Sequence, residues 1–316
     1  MMTEFGLIEA IRRGCEMLPK HDFEGIGDDC AVLPIGGDEV LVFTADLLVE
    51  QIHFLREAAT PEEVAHKALH VNLSDVASMG VRPVATLLSV ALPREMMQGD
   101  WAERFTQGYI RASKACDVAL IGGDTTASER DIVINVPAIG RGSRSCLKRR
   151  SAARVGDLVC VCGELGASGA GLRELLSGNP ESPLARLHKL PTAQIREGIL
   201  LGEWPEVHAM MDLSDGLAGD LRHILKASQT GAEVALEQIP VAEGADLDTA
   251  LSGGEDYKLL LTLAPEAFEE LKHTLHERLG CPLYPIGRIV ESAMPEIRWL
   301  RHGEEVEGRR GGFCHY

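Results

Sequence analysis

Residues 60–80 constrain this chain more than any other stretch. Thr60 suits an N-cap, Pro61 the first helical position, and Glu62 and Glu63 complement the positive end of a helix dipole. Val64, Ala68, Val71 and Asp75 follow at steps that put them on one face, and Gly80 supplies a stop. The spacing predicts a helix over 60–79 whose apolar stripe ends in a carboxylate, within the run Asn72-Leu73-Ser74-Asp75-Val76-Ala77-Ser78-Met79-Gly80. A carboxylate aimed at the interior needs a metal ion or a basic group beside it, whereas a solvated Asp at a helix end needs neither. The helix alone leaves both readings open.

The word Leu-Ser-Asp recurs at Leu213-Ser214-Asp215, inside Asp212-Leu213-Ser214-Asp215-Gly216-Leu217. Each copy precedes a Gly-Gly-acid word, Gly122-Gly123-Asp124 and Gly253-Gly254-Glu255, read as turns. Two words in the same order predict related half-molecules and direct attention to acidic side chains.

A length of 316 residues favours two domains, divided at 1–142 and 143–316. The net charge of −17 argues against a nucleic-acid binder, which needs a basic face, but not against an enzyme that holds phosphate through Mg²⁺. No apolar run reaches the roughly 20 residues that span a bilayer. Residues 1–20 read as an amphipathic helix, not a signal peptide, so no membrane association and a cytoplasmic location are expected. The cysteines form no C-x-x-C pair; Cys160 and Cys162 fall on one face of an apolar strand and read as small buried hydrophobes. Free thiols and no structural zinc follow, and His66 with His70 do not amount to a zinc site.

Along the chain, Gly25 and Gly27 bracket a turn that carries Asp28 and Asp29 into an apolar strand; a polar hairpin and a metal site fit equally. Residues 40–46 form a strand ending at Asp46, where α/β sheets bind ligands, with His53 in the loop beyond. A strand over 84–92, a helix capped by Asp100 and running to Cys116, a strand over 118–121 and another over 131–139 complete this half. Residues 141–156 hold a basic cluster, Arg141, Arg144, Lys148, Arg149, Arg150 and Arg154, which reads equally as a solvated linker or a phosphate clamp. The second half opens on a strand over 157–161 and a glycine-rich turn, residues 163–171, that lacks the phosphate-binding Lys of a P-loop. Further helices are predicted from Pro191, over 216–227 and over 265–279, and strands over 207–211, 233–239, 258–263 and 283–289. The fold class is α/β to α+β, with a mixed N-terminal sheet and an α+β C-terminal domain.

The acidic candidates Asp28, Asp29, Asp46, Asp75, Asp124, Asp212, Asp215 and Glu255 lie at strand ends or glycine-rich words, and no His/Cys set, G-x-S-x-G or G-x-G-x-x-G word competes with them. Oxygen ligands suit Mg²⁺. Several such ions with an Arg suit a nucleoside triphosphate, and phosphoryl transfer needs alignment and charge neutralisation more than a general base.

Six ordered words carry a resemblance across essentially the whole chain. Gly25-Ile26-Gly27-Asp28-Asp29-Cys30-Ala31-Val32, Thr44-Ala45-Asp46 with His53-Phe54, residues 72–80, Gly122-Gly123-Asp124-Thr125-Thr126, residues 212–216 and Gly253-Gly254-Glu255-Asp256-Tyr257 resemble the thiamine-monophosphate kinases of the aminoimidazole ribonucleotide synthetase superfamily. The resemblance implies ATP-dependent phosphorylation of thiamine monophosphate to thiamine diphosphate by direct in-line transfer. It also implies a homodimer whose N-terminal sheets form a barrel-like core, with ATP at the subunit contact. By position it implies that Asp29, Thr44, Asp46, Asp75, Asp124, Asp212 and Asp215 hold Mg²⁺. Gly123, Asp124, Arg150 and Ser214 become the nucleotide set, with Asp75, Asp124 and Arg150 catalytic. His53, Glu255 and Phe313 resemble the contacts to thiamine monophosphate, an aromatic face suiting its cationic ring. One departure is Cys116, where the family often has an aromatic residue near adenine.

Sister enzymes fit less well. Cys314 lacks the Pro-Arg-Ile word of the hydrogenase-maturation enzymes, Cys30 follows an Asp pair as kinases also allow, unlike the reactive loop residue of selenophosphate synthetases, and residues 44–51 differ from the Ser-Val-Asp-Gly-Val-Gly-Thr-Lys word of the synthetase itself. A non-catalytic nucleotide-binding module would have no need for the complete acidic set.

Overall fold

A computed structural model describes residues 4–15, 18 and 21–306. The exposed helix α1 (Glu4–Cys15) precedes strands β1 (Ala31–Gly36) and β2 (Glu39–Val49), helix α2 (Pro61–Ser78), strand β3 (Arg82–Pro93), helix α3 (Trp101–Cys116) and strands β4 (Ala119–Ser128) and β5 (Val133–Ser143). These strands form a mixed sheet of order β1-β2-β5-β3-β4, antiparallel except for the parallel pair β3–β4. The second half contains β6 (Leu158–Cys162), α4 (Ala167–Leu176), α5 (Pro183–Lys189), α6 (Ile195–Gly202), β7 (Val207–Asp212), α7 (Leu217–Ser228), β8 (Gly231–Ala235), α8 (Leu247–Ser252), β9 (Leu259–Leu263), α9 (Phe268–Leu279), β10 (Leu283–Val290), β11 (Ile297–Arg301) and β12 (Glu304–Val306). Its sheet runs β12-β11-β8-β10-β6-β9-β7.

The second sheet is covered on both faces, which explains its unbroken apolar strands. Val159 and Val161 of β6 join a core with Leu217 and Leu221 of α7; Cys160 and Cys162 face the other way, against Leu201 of α6 and Leu271 and Leu275 of α9. The two cysteines are fully buried hydrophobes, as their spacing predicts.

Helix α2 is anchored at its start by a complete capping box: Thr60 accepts the Glu63 N–H and Glu63 accepts the Thr60 N–H. Such a cap contributes about 1 kcal/mol. One apolar face was expected, but α2 is buried almost all round, including Lys67, His70, Asn72, Ser74 and Ser78. Its Val64, Ala68 and Val71 pack with Val42, Ile134 and Val136 of the first sheet, while α6 and β7 of the second half close over its other side. A helix enclosed in this way is part of two interiors at once.

Several expected elements differ. Gly122-Gly123-Asp124 is not a turn; it lies inside β4, pairing with Leu87, Leu88 and Ser89 after a bulge at Ile121. A Cβ on Gly123, at φ +151°, would fall 1.8 Å from the Leu88 carbonyl oxygen, so close strand packing requires this glycine. Leu73-Ser74-Asp75 is helical whereas Leu213-Ser214-Asp215 leaves a strand, so the repeated word does not mark equivalent structures. Asp100 holds the N-cap position of α3 without a side-chain cap bond, lying 3.8 Å from Arg104 instead. Pro191 does not start a helix. Residues 191–194 stay outside any helix, held by the Pro191 carbonyl bonding His66, the Ala193 N–H donating to His70, and Gln194 bridging the Cys162 carbonyl and the Leu259 N–H. Helix α5, capped by Ser182, and α8, β11 and β12 were not anticipated. Among the described residues no helix is long and apolar enough to cross a membrane.

The halves meet where α6 crosses the end of α2. A Cβ on Gly198 would lie 2.2 Å from the Ala77 carbonyl oxygen, and one on Gly202 would lie 2.1 Å from that of Gly80. Backbone that close cannot yield as a side-chain tip can. Gly198→Ala is expected to destabilise the protein by about 1–3 kcal/mol, the range of overpacked cores. Urea unfolding of the variant beside the parent measures this, and an unchanged midpoint would contradict the close crossing.

Candidate active site

Along one face of α2, polar side chains take hold of acidic residues delivered by other segments. Ser78 Oγ donates to Asp29 Oδ2 at 2.6 Å, at the turn before β1. Asp75 Oδ2 accepts the Thr44 hydroxyl of β2 at 2.5 Å. Ser74 donates to Asp212 at the end of β7, also at 2.5 Å. Asn72 accepts the Asp46 N–H at 2.6 Å; Asp46 does not end its strand as expected but lies inside β2, which pairs with β5 as far as Val49. Further up the helix, Lys67 Nζ donates to Glu255 Oε2 and to the His53 carbonyl, each at 2.8 Å. None of Lys67, Asn72, Ser74 and Ser78 was singled out as a site residue, although their steps of seven, eight and eleven from Lys67 to Ser74, Asp75 and Ser78 put them on the Asp75 face.

Carboxylate oxygens of Asp29, Asp75 and Asp212 all lie within 4.8 Å of one another. Burial, with Asp46, Asp212 and Asp29 adding like charge, pushes the Asp75 carboxyl well above its ordinary range. The same causes raise Asp212 to about 8 and Asp46 to about 6, and burial with Asp29 raises Asp28 to about 6. Arg150 bonds Asp29 and lies 3.9 Å from Asp28; despite its burial these carboxylates hold it firmly charged. Its Nε is buried without a hydrogen-bond partner among the described residues. The reading of Arg149 and Arg150 as solvated linker therefore fails: Arg149 pairs with Glu24 and Arg150 with the acidic turn.

A second acidic group adjoins the first. Asp215, Asp220 and His223 each present a ligand atom within 4.8 Å of the others, and the buried Asp220 accepts the Asp215 N–H at 3.1 Å. Ser214 is tied to the glycine-rich loop, its carbonyl accepting the Glu255 N–H at 2.8 Å, while the Leu213 carbonyl accepts that of Tyr257. Both Glu255 and Tyr257 take positive φ, 66° and 48°, to follow this course.

Between α2, α4 and the 253–255 loop lies a cleft of about 720 Å³, lined by Asp46, His53, Lys67, Asp75, Ser214, Asp215 and Glu255 and by the apolar Ile52, Leu172 and Leu176. His53 Nδ1 accepts the Val49 N–H at 3.0 Å, which places the ring proton on Nε2. The glycine-rich turn of residues 163–171 is not free to take an anion, because Asp256 already accepts the Gly166 and Ser168 N–H groups.

Gly123 and Asp124 lie apart. Asp124 is exposed on the edge strand β4, its carboxylate accepting the N–H of its neighbour Thr125 and bonding no other described residue. The row Leu47–Asn135–Ser89–Asp124 crosses three strand spacings, or about 14 Å. Cys116 contacts His70 at 3.7 Å and packs against the core. Phe313 and Cys314 lie outside the described residues.

Comparison with known proteins places this geometry. The N-terminal domain of AIR synthase related protein matches residues 27–141, and its C-terminal domain matches 154–300. The thiamine-monophosphate kinase of Haemophilus influenzae is 36% identical, covering 100% of this chain and 98% of its own length. That of Bacillus subtilis is 32% identical over the full length of both. The solved structure of AaThiL complexed with AMPPCP and TMP superposes with a TM-score of 0.85 at 33% identity, covering 100% of this chain and 97% of that one. Hydrogenase maturation protein HypE, 21% identical with a TM-score of 0.70 over 92% of this chain and 96% of its own, shares the fold alone. On its full-length match to these kinases and its two AIR synthase related domains, the chain belongs to the thiamine-monophosphate kinase family.

Proposed function

We propose that the protein is an ATP-dependent kinase that converts thiamine monophosphate to thiamine diphosphate. The observation that carries this reading is the cluster of Asp29, Asp75 and Asp212 opening beside a cleft whose far end holds Glu255 and His53. A phosphate ester with a cationic ring suits both ends. The full-length kinase relatives and the complex of AaThiL with AMPPCP and TMP support the choice of donor and acceptor.

The donor set fits Mg²⁺. It is made of oxygen atoms, and burial together with neighbouring carboxylates forces Asp75 and Asp212 toward protonation, a conflict that a divalent cation relieves. Asp29, Thr44, Asp46, Asp75, Asp212 and Asp215 would hold such ions, with Asp124. When bound, Mg²⁺ neutralises the phosphates that meet there. Arg150 and Ser214 orient the nucleotide, and Asp75, Asp124 and Arg150 align the reacting groups. The acceptor phosphate oxygen bonds to the γ-phosphorus as the β–γ bridging bond breaks, and the leaving oxygen departs with ADP. His53, Glu255 and Phe313 contact thiamine.

Residues 1–142 act as the dimerisation and nucleotide half and residues 143–316 complete the site. The exposed edge β4, with Leu120 and Ile121 uncovered beside Gly123 and Asp124, supports a homodimer in which paired N-terminal sheets form a barrel and Asp124 serves a site at the subunit contact. The acidic surface and the absence of a membrane-crossing helix among the described residues support a cytoplasmic enzyme without nucleic-acid or membrane partners.

ADP formation with ATP and Mg²⁺ tests the reading, with thiamine monophosphate, thiamine and formylglycinamidine ribonucleotide as acceptors. Turnover is expected with thiamine monophosphate alone, yielding thiamine diphosphate; turnover with another acceptor, or none, would overturn it. Asp75→Asn is expected to lose activity by a factor of about 10³ or more, the scale of a lost electrostatic contact to the transferring group, while raising the melting temperature of the metal-free protein. A folded variant with near-normal turnover would remove Asp75 from the metal set.

Carboxyls whose pKa is higher folded than unfolded keep a proton that unfolding releases. Their contribution to stability is present below the ordinary carboxylate range and is lost as pH rises from there through about 6 for Asp28 and Asp46 and through about 8 for Asp212. In chelator this cluster should therefore weaken the protein progressively from pH 5 to 8.5, and the melting-temperature gain from added Mg²⁺ should widen over the same range. Thermal melts across that range measure it; a gain that shrinks with pH would count against metal binding by these groups.

A further inference from the structure

The cleft contains a buried cation that phosphoryl transfer does not use. Lys67 is 2% exposed, and its ammonium joins two segments distant in the chain: the Glu255 carboxylate from the 253–255 loop and the His53 carbonyl from the loop after β2. Glu63, Lys67, Val71 and Asp75 line the cleft at successive turns of α2, so about 12 Å of helix separates the acidic cluster from Lys67.

We infer that Lys67 is the positioning residue for the organic end of the acceptor: it fixes Glu255 and His53 in one arrangement, so that a cationic ring meets a carboxylate already in place. This rests on the proposed thiamine-monophosphate kinase activity and assigns a role to a residue outside its contact set. Every group around Glu255 fits. Burial works to raise its carboxyl, but Lys67 and His188 outweigh this and keep it below the ordinary carboxylate range. His188, 3.4 Å from Glu255 and 2.9 Å from the Ser168 hydroxyl, is itself lowered to about 4 by burial and by Lys67. Lys189, also at the cleft, is engaged by Glu63 at 3.1 Å and Glu181 at 3.3 Å. A free Glu255 on a glycine-rich loop would lose freedom each time the acceptor bound; one held by Lys67 has lost it already.

The test is steady-state kinetics of full-length Lys67→Met, Glu255→Gln and the double variant, with ATP, Mg²⁺ and thiamine monophosphate. Wild-type turnover of thiamine monophosphate, measured first, tests the activity itself; ratios among the variants test the inference. Lys67→Met is expected to raise KM for thiamine monophosphate about ten- to a hundred-fold, the worth of a charge-assisted hydrogen bond. Its kcat and its KM for ATP should stay within about three-fold of wild type, a split that general loosening of the fold would not produce. Lys67→Arg should recover part of the KM. Should Lys67→Met leave Glu255 unpaired and fail to fold, the double variant removes both charges and is compared with Glu255→Gln alone. Equal KM values in these two support the inference, because Lys67 then acts through Glu255. An unchanged acceptor KM in Lys67→Met, a loss confined to kcat, or a full further rise in the double variant would overturn it.

Discussion

Asp29, Asp75 and Asp212 repel one another, and this repulsion is the constraint around which the rest of the structure is arranged. Carboxylates brought together away from water raise each other's pKa, and left alone they would drive their segments apart. The chain offsets the repulsion with donors. Thr44, Ser74 and Ser78 each give a hydroxyl to one of the three acids, and Arg150 gives a guanidinium to Asp29. Two of those hydroxyls stand on α2, so the helix restrains the charges as well as contributing one.

That duty explains why α2 is enclosed by both halves of the protein. Its start is fixed by the Thr60–Glu63 cap and its end by the close backbone crossing with α6 at Gly198 and Gly202. Between these anchors the helix is a core element of the first sheet and a wall of the cleft. Site assembly and the docking of the halves are therefore one event: Asp29, Thr44 and Asp46 arrive from one side, Asp212, Asp215 and Glu255 from the other, and α2 is the seam.

Much of this was legible in the sequence. Thr60, Pro61 and the spacing of Val64, Ala68, Val71 and Asp75 announce α2 and its carboxylate, because caps and periodicity are local properties. Residue chemistry marked Asp29, Asp75 and Asp212 only among eight acidic candidates, each with a solvated alternative; it was the ordered words shared with the kinases that implied a common metal set. What stayed hidden was set by tertiary contacts. Residues 191–194 are held out of a helix by His66, His70, Cys162 and Leu259, and none is a sequence neighbour. Gly122-Gly123-Asp124 carries turn residues yet lies in a strand, where Gly123 is required by the Leu88 backbone. Lys67 is buried by contacts with Glu255 and the His53 carbonyl that no local pattern shows, although its two-turn offset from Asp75 was there to be read.

The same spacing separates two tasks along one rod. At the Asp75 end α2 meets groups suited to metal and phosphate; two turns away, at Lys67, it meets groups suited to an organic cation. Substitutions around Lys67, Glu255 and His188 can alter what is held at the far end without disturbing the hydroxyls and acids of the near end, because a rigid helix passes on position but not side-chain chemistry. In the proposed reading, the acidic cluster defines the protein as a phosphate-handling enzyme, and the buried Lys67–Glu255 pair makes it selective for its acceptor.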